Sequence, residues 1–349
     1  MDGGHSVQVL GKKMNELLVK NGTVYSYIFE GYHAIKLQKA DVYIEDGLIT
    51  EIKAGIRGNC ETIDASGCIV LPGMVNMGAS TFAARITSGL LWDWRKGKSR
   101  VAPMLDLAAE MFTEDEICAA AMLGLWETVS GGAVTVAELF RAQAERNEHP
   151  LRYRAAPESL LQGMSRAAEM LGICLFKTGE DSADFDSAVS CEHLGVPYEG
   201  LNFIKSGAKM TMGTGCFGNC MISEMRAVAC AVKQQVRDAG GGRASDVFYS
   251  ATVVNGRAVD GEKYGRVGPG FIGNLSVVCM DRFAPLSYPL AQYIYGAHVG
   301  DVRHVVCGGV VLKRDFKPAD HLVPYLASAD KTAETAILRL WEEARRVIL

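Results

Sequence analysis

The one concentration of reactive atoms in this sequence is Gly213-Thr-Gly-Cys-Phe-Gly-Asn-Cys, which ends at residue 220. A thiolate at a turn from strand to helix has its pKa lowered by the N-terminus of the next helix, and it can then act as a nucleophile or a soft-metal ligand. That is the chemistry Cys216 and Cys220 would do. The opposing reading makes them small residues filling space, because two thiols without a histidine or a second cysteine pair are a weak zinc or catalytic pattern. The seven histidines do not supply the partner: His5 and His33 fall in a tail and a loop, His298 and His304 in a terminal β segment and its approach, and His149, His193 and His321 beside turns. The glycine run Gly240 to Gly242 is a helix stop without a phosphate-cradle motif.

The elements that would position these residues alternate in type. Thr113-Glu-Asp-Glu is a capping box opening a helix that stops at Gly131-Gly132. Ala133-Val-Thr-Val-Ala-Glu-Leu reads as a strand, residues 158–171 as a helix, Ile173-Cys-Leu-Phe-Lys as a strand, Tyr198 to Ser206 as a short helix, Lys209 to Thr214 as a strand and Glu224 to Asp238 as a long helix. Such alternation argues for parallel βα units. The two ends differ. Asn21-Gly22 and Asp46-Gly47 carry the positive φ angles of hairpin turns, and residues 273–280 and 302–313 repeat that strand grammar around Gly308-Gly309. A single β module built from both ends is expected. Cys68 to Ser80, CIVLPGMVNMGAS, is the buried strand that leads from it into the core, and a final amphipathic helix, Ala329 to Ile348, buries Ala333, Ala336, Ile337, Leu340 and Trp341.

Several segments resemble the amidohydrolase superfamily, in its chlorohydrolase, guanine deaminase and adenosine-type aminohydrolase branch. Asp64-Ala-Ser-Gly with Val70-Leu-Pro-Gly-Met-Val-Asn resembles the family's first barrel strand, Trp126 to Val136 its "sGtTtv" strand, Gly207 to Gly215 its "GTDG" strand, and Gly268 to Asp281 its closing β segment. The resemblance implies an α/β fold: a TIM-type (β/α) barrel with a small composite β-sandwich domain. Residues 14–70 and 267–315 would form the composite domain, 71–266 and 316–349 the barrel with its C-terminal helix, and 1–13 a disordered extension. An eight-unit barrel needs about 250 residues, so the barrel is expected to be shortened and incomplete.

The family's metal ligands, carried over by position, fall on Met77 and Ala79 (the His-x-His pair), Phe176 and Gly179 (the His-x-x-Glu) and Gly215 (the Asp). None supplies an imidazole or carboxylate, so a metal-free chain without cofactor is expected. The principal reading is a non-catalytic pseudoenzyme, a structural or regulatory subunit that forms homo- or hetero-oligomers, including one with an intact relative. The alternatives are a hydrolase of C–N bonds in a cyclic amidine or nucleobase-like substrate working through Cys216 or Cys220, and a binder of such molecules. A net charge of −4 and 22% charged residues give no footprint for nucleic acid. No window has the length to span a membrane, and ten dispersed cysteines without a secretion signal fit a cytoplasmic protein.

Overall fold

A computed structural model describes residues 16–27, 35–87, 98–138, 141–143, 153–155, 158–177, 210–216, 218–260, 263–285 and 287–348. The expected extension at 1–13, the helix at 198–206 and Gly179 lie outside the described residues.

Five strands open the chain: β1 (Leu17–Tyr27), β2 (Ile35–Glu45), β3 (Leu48–Lys53), β4 (Glu61–Asp64) and β5 (Cys68–Pro72). Four more come from the other end, β11 (Leu275–Cys279), β12 (Val302–Cys307), β13 (Val310–Arg314) and β14 (Lys317–Pro318). All nine share one sheet in the order β14-β13-β12-β11-β5-β1-β2-β3, with β4 on β1. The two ends of the sequence meet where β11 runs antiparallel to β5. One face carries its own apolar core of Leu17, Val42, Ile44, Ile49, Val70, Leu275, Val277 and neighbours. The strands of the sheet end at Pro72 in the first segment of the chain and at Pro318 in the second.

Two turns form as expected, since Asp46 and Gly47 have φ of 50° and 78° and Gly308 and Gly309 have 53° and 79°. Asn21-Gly22 does not turn the chain. β1 passes straight through it with a bulge between Val19 and Gly22. There the Asn21 amide donates to Asp41 Oδ1 at 2.8 Å and its side chain to Asp64 Oδ1 at 2.9 Å. A residue with φ of 63° serves a bulge as well as a turn, and these two carboxylates select the bulge.

Past Gly73 the chain enters a second sheet. β6 (Met74–Ala79) pairs in parallel with β7 (Ala133–Glu138), and β7 with β10 (Cys174–Lys177). A third, two-stranded sheet pairs β8 (Arg141–Gln143) with β9 (Tyr153–Ala155). Helices α1 (Thr81–Ile86), α2 (Lys98–Met111), α3 (Glu114–Ser130) and α4 (Glu158–Leu171) stand between the strands. The capping box forms, with Thr113 Oγ1 accepting from the Glu116 amide at 3.3 Å and Glu116 Oε2 accepting from the Thr113 amide at 2.8 Å. On the other flank of β6 lie residues 212–215, which make isolated bridges rather than the expected strand. The Met77 amide donates to Met212 O, Gly215 N to Gly78 O and Ser80 N to Gly215 O, all at 3.0–3.1 Å.

Next come α5 (Met221–Val236), α6 (Ala244–Tyr249) and α7 (Asn255–Asp260), the last two joined by a π turn at Ser250–Val254. In that turn Ser250 Oγ donates to Met210 O, and Thr252 Oγ1 donates to Phe248 O at 2.6 Å. After α8 (Pro289–Gly296) the chain ends in α9 (Val323–Val347), which buries Ala333, Ala336 and Leu340 against α3. It is also pinned by Trp341 Nε1 donating to Ile86 O at 2.9 Å. No helix among the described residues is long and apolar enough to cross a membrane.

Candidate active site

In a parallel sheet of βα units, side chains that do chemistry gather at the C-terminal strand ends. The registers put four positions in one row there: Gly215 beside Ala79, Ala79 beside Glu138, and Glu138 beside Lys177. A second row, deeper by one or two residues, joins Met77, Ala137 and Phe176. Four of the five places assigned to absent metal ligands therefore converge, and the fifth, Gly179, lies outside the described residues.

The side chains in these places are apolar. Met77 is fully buried with Val75, Ala137 and Tyr264, and Phe176 packs edge-on against the Tyr264 ring, 6.4 Å between centroids. Ala79 joins the main core, and Gly215 takes φ of 57°. A hydrolytic zinc needs three or four nitrogen or oxygen donors. Met77, Ala79, Phe176 and Gly215 offer one thioether, so this donor set does not fit the ion. Among the described residues no group of three or more His, Cys, Asp and Glu is placed to hold a metal.

Glu138 is a site residue that sequence reasoning places only within a strand. It is buried at the last position of β7 and accepts from Thr81 Oγ1 at 2.8 Å and from the amides of Thr81 and Phe82. Burial outweighs those three donors and pushes its carboxyl up to about 8. The available signal is an acid closing a strand whose other five residues are Ala, Val, Thr, Val and Ala. Below this row the sheet is tied by amides. Asn76 Nδ2 donates to Thr214 Oγ1, and the Thr214 amide donates to Asn76 Oδ1, both at 3.0 Å. Asn255 donates to Val75 O at 2.6 Å and Met212 O at 2.7 Å while accepting from the Met212 amide at 2.8 Å. Removing the Asn255 side chain leaves the buried Met212 amide without an acceptor. Asn255→Ala should thus cost about 3 kcal/mol, seen as a lower midpoint in urea unfolding.

The two cysteines part company. Cys216 packs with Ala83, Val101 and Leu105 on α1 and α2, near the row. Cys220 caps α5 without a side-chain hydrogen bond, and its sulfur lies against Gly131. Gly131 precedes β7 whereas Glu138 ends it, and six strand residues span roughly 20 Å. The two thiols therefore lie at different levels along β7, Cys216 near the row and Cys220 beside Gly131 before the strand begins. Cys220 instead shares a corner with Lys313, whose amine, lowered to about 8 by burial, donates to Ser130 O at 3.1 Å and Val299 O at 3.2 Å. His304 belongs to the large sheet, where its Nδ1 accepts from the Asp315 amide and its Nε2 donates to Asp64 O, each at 3.3 Å. That tautomer is neutral, in keeping with the downward pull of burial on its pKa.

No family model matches the chain. A 5-methylthioadenosine/S-adenosylhomocysteine deaminase from Haloarcula marismortui is 35% identical over 116 residues, 31% of this chain and 27% of that protein. A similarly named deaminase from Aquifex aeolicus is 33% identical over 147 residues, 40% and 34% of the two chains. A 5'-deoxyadenosine deaminase from Methanopyrus kandleri is 30% identical over 120 residues, 33% and 28%. The chain thus spans about a quarter to a third of the length of these curated relatives. Among solved structures, an atrazine chlorohydrolase from Arthrobacter aurescens complexed with zinc superposes with a TM-score of 0.67 at 16% identity, over 91% of this chain and 100% of that one. An adenosine deaminase from Xanthomonas campestris with bound zinc gives 0.65 at 15%, over 92% and 98%. The chain thus shares its α/β fold with these hydrolases, and segments of it are about a third identical to named deaminases, a likeness that supports an amidohydrolase superfamily member.

Proposed function

We propose that this chain binds a nucleoside-like or related ring compound on an amidohydrolase scaffold and does not hydrolyse it by the metal chemistry of the fold. Gly215 and Ala79, with Met77 and Phe176 beneath them, are the observation that carries the reading: the places that would grip an ion hold no imidazole or carboxylate. A protein of this kind serves as a structural or regulatory subunit, in copies of itself or beside an intact relative. In this reading the nine-stranded sheet is a composite β domain and the remainder a shortened barrel, divided at Gly73.

A second reading is favoured by the relatives, all three of which are named deaminases. It makes the chain a hydrolase of a C–N bond in such a ring, with Cys216, the thiol nearer the row, as nucleophile. One experiment separates the two. Purified protein is analysed for zinc and iron, then melted with and without 5'-deoxyadenosine, 5-methylthioadenosine and S-adenosylhomocysteine while released ammonia is measured. The binding reading expects no stoichiometric metal, a raised melting temperature with at least one compound, and no ammonia. Ammonia production lost in Cys216→Ser would establish the second reading. Bound metal at one ion per chain would remove the first.

A further inference from the structure

We infer that Cys68 and Cys279 form a reversible cross-strand disulfide, a modification site in the nine-stranded sheet. The two residues are direct partners across the antiparallel pair β5–β11. Antiparallel positions alternate between hydrogen-bonded and non-hydrogen-bonded pairs, and the phase is set here by Pro72, which lies opposite Leu275 and has no amide to donate. Counting from it, Val70 with Val277 and Cys68 with Cys279 are also non-hydrogen-bonded. Two backbone bonds agree: the Cys68 amide turns back to Ala65 O at 2.9 Å, and the Met280 amide donates to Gly67 O at 3.1 Å in the next pair. A non-hydrogen-bonded pair holds its Cα atoms about 4.5 Å apart with both side chains on one face, inside the roughly 4.4–6.8 Å that a disulfide spans.

The surroundings give the two thiols different parts. Cys279 is partly exposed, its thiol directed to Asp281 Oδ2 at 3.6 Å, whereas Cys68 is buried with its thiol on Ser66 O at 3.5 Å. Burial pushes the Cys68 thiol up to about 11, and the Arg303 guanidinium hydrogen-bonded to it opposes that rise. Cys279 is therefore the entry point for a small-molecule disulfide. Its thiolate attacks one sulfur of that reagent, forms a mixed disulfide and expels the first small thiol. The Cys68 thiolate, formed beside Arg303, then attacks the Cys279 sulfur and expels the second. Two protein thiols are oxidised, one external disulfide is reduced, and the two protons leave on the released thiols. The bond would close a loop holding every described element from β6 to α7.

The test uses the full chain in redox buffers of reduced and oxidised glutathione, with peptide mapping by mass spectrometry. The expected product is a crosslinked peptide joining Cys68 to Cys279, with a melting temperature about 5 °C higher, reversed by dithiothreitol. Cys279→Ser should show neither. Mapping of the unmutated chain stands whether or not that variant folds. Glutathione remaining on Cys279, a crosslink between other cysteines, or no loss of thiols in the oxidising buffers would each overturn the inference.

Discussion

Gly213→Ala is expected to leave little or no folded protein. A methyl group there would stand 1.5 Å from Met77 O and 2.4 Å from its carbonyl carbon, and neither is the end of a flexible side chain. The backbone of 212–215 crosses β6 at a distance only glycine permits, and three backbone hydrogen bonds and the Asn76–Thr214 pair depend on that approach. Forcing the two apart removes them together, at a cost of 4 kcal/mol or more by order of magnitude. Gly218, in the same motif, is the control, because a methyl group at that position meets nothing within 4 Å. Gly218→Ala should unfold within about 0.5 kcal/mol of the parent in urea. Equal stabilities for the two variants would show that 212–215 does not lie on β6.

The second large effect is the pH dependence of stability due to Glu138. Its carboxyl is raised from 4.5 to about 8 by burial, so between those values the folded chain holds a proton that the unfolded chain has released. Stability from this group is full below pH 4.5 and is lost as pH rises through about 8. The whole span is worth roughly 5 kcal/mol. Melting temperature should accordingly fall from pH 5 to pH 8, and Glu138→Gln, which keeps an acceptor for Thr81 and Phe82 but cannot ionise, should flatten the profile. An unchanged slope in that variant would mean that the three donors hold the carboxylate charged.

Local chemistry explains which elements the sequence makes readable. The Thr113 box, the Gly308-Gly309 turn, the helix ending at Leu171 and the apolar face of α9 are each decided within a few residues, and each forms. Asn21-Gly22 has the residues of a turn and forms a bulge, because the choice between them rests on Asp41 and Asp64, 20 and 43 residues away. The segment expected as a strand makes only bridge contacts over its described residues 210–214, since Asn76 and Asn255 take up the amides of Thr214 and Met212. Cys216 and Cys220 are near in sequence and apart in the fold, one packed on α1 and α2 and the other beside Gly131 at the start of α5. Glu138 is not legible as a site residue in the sequence, because its importance comes from its row-mates on β6 and at residue 215.

The π turn at Ser250–Val254 sets the angular phase of α7. A turn of that width takes in one more residue than the α repeat, and so rotates the next helix relative to the one before. Rewinding all five residues from 250 to 254 as ordinary α-helix would swing Asn255 by about 100° around the axis. Its amide would then face away from Val75 and Met212, leaving the join between the two flanks of β6 without its clamp.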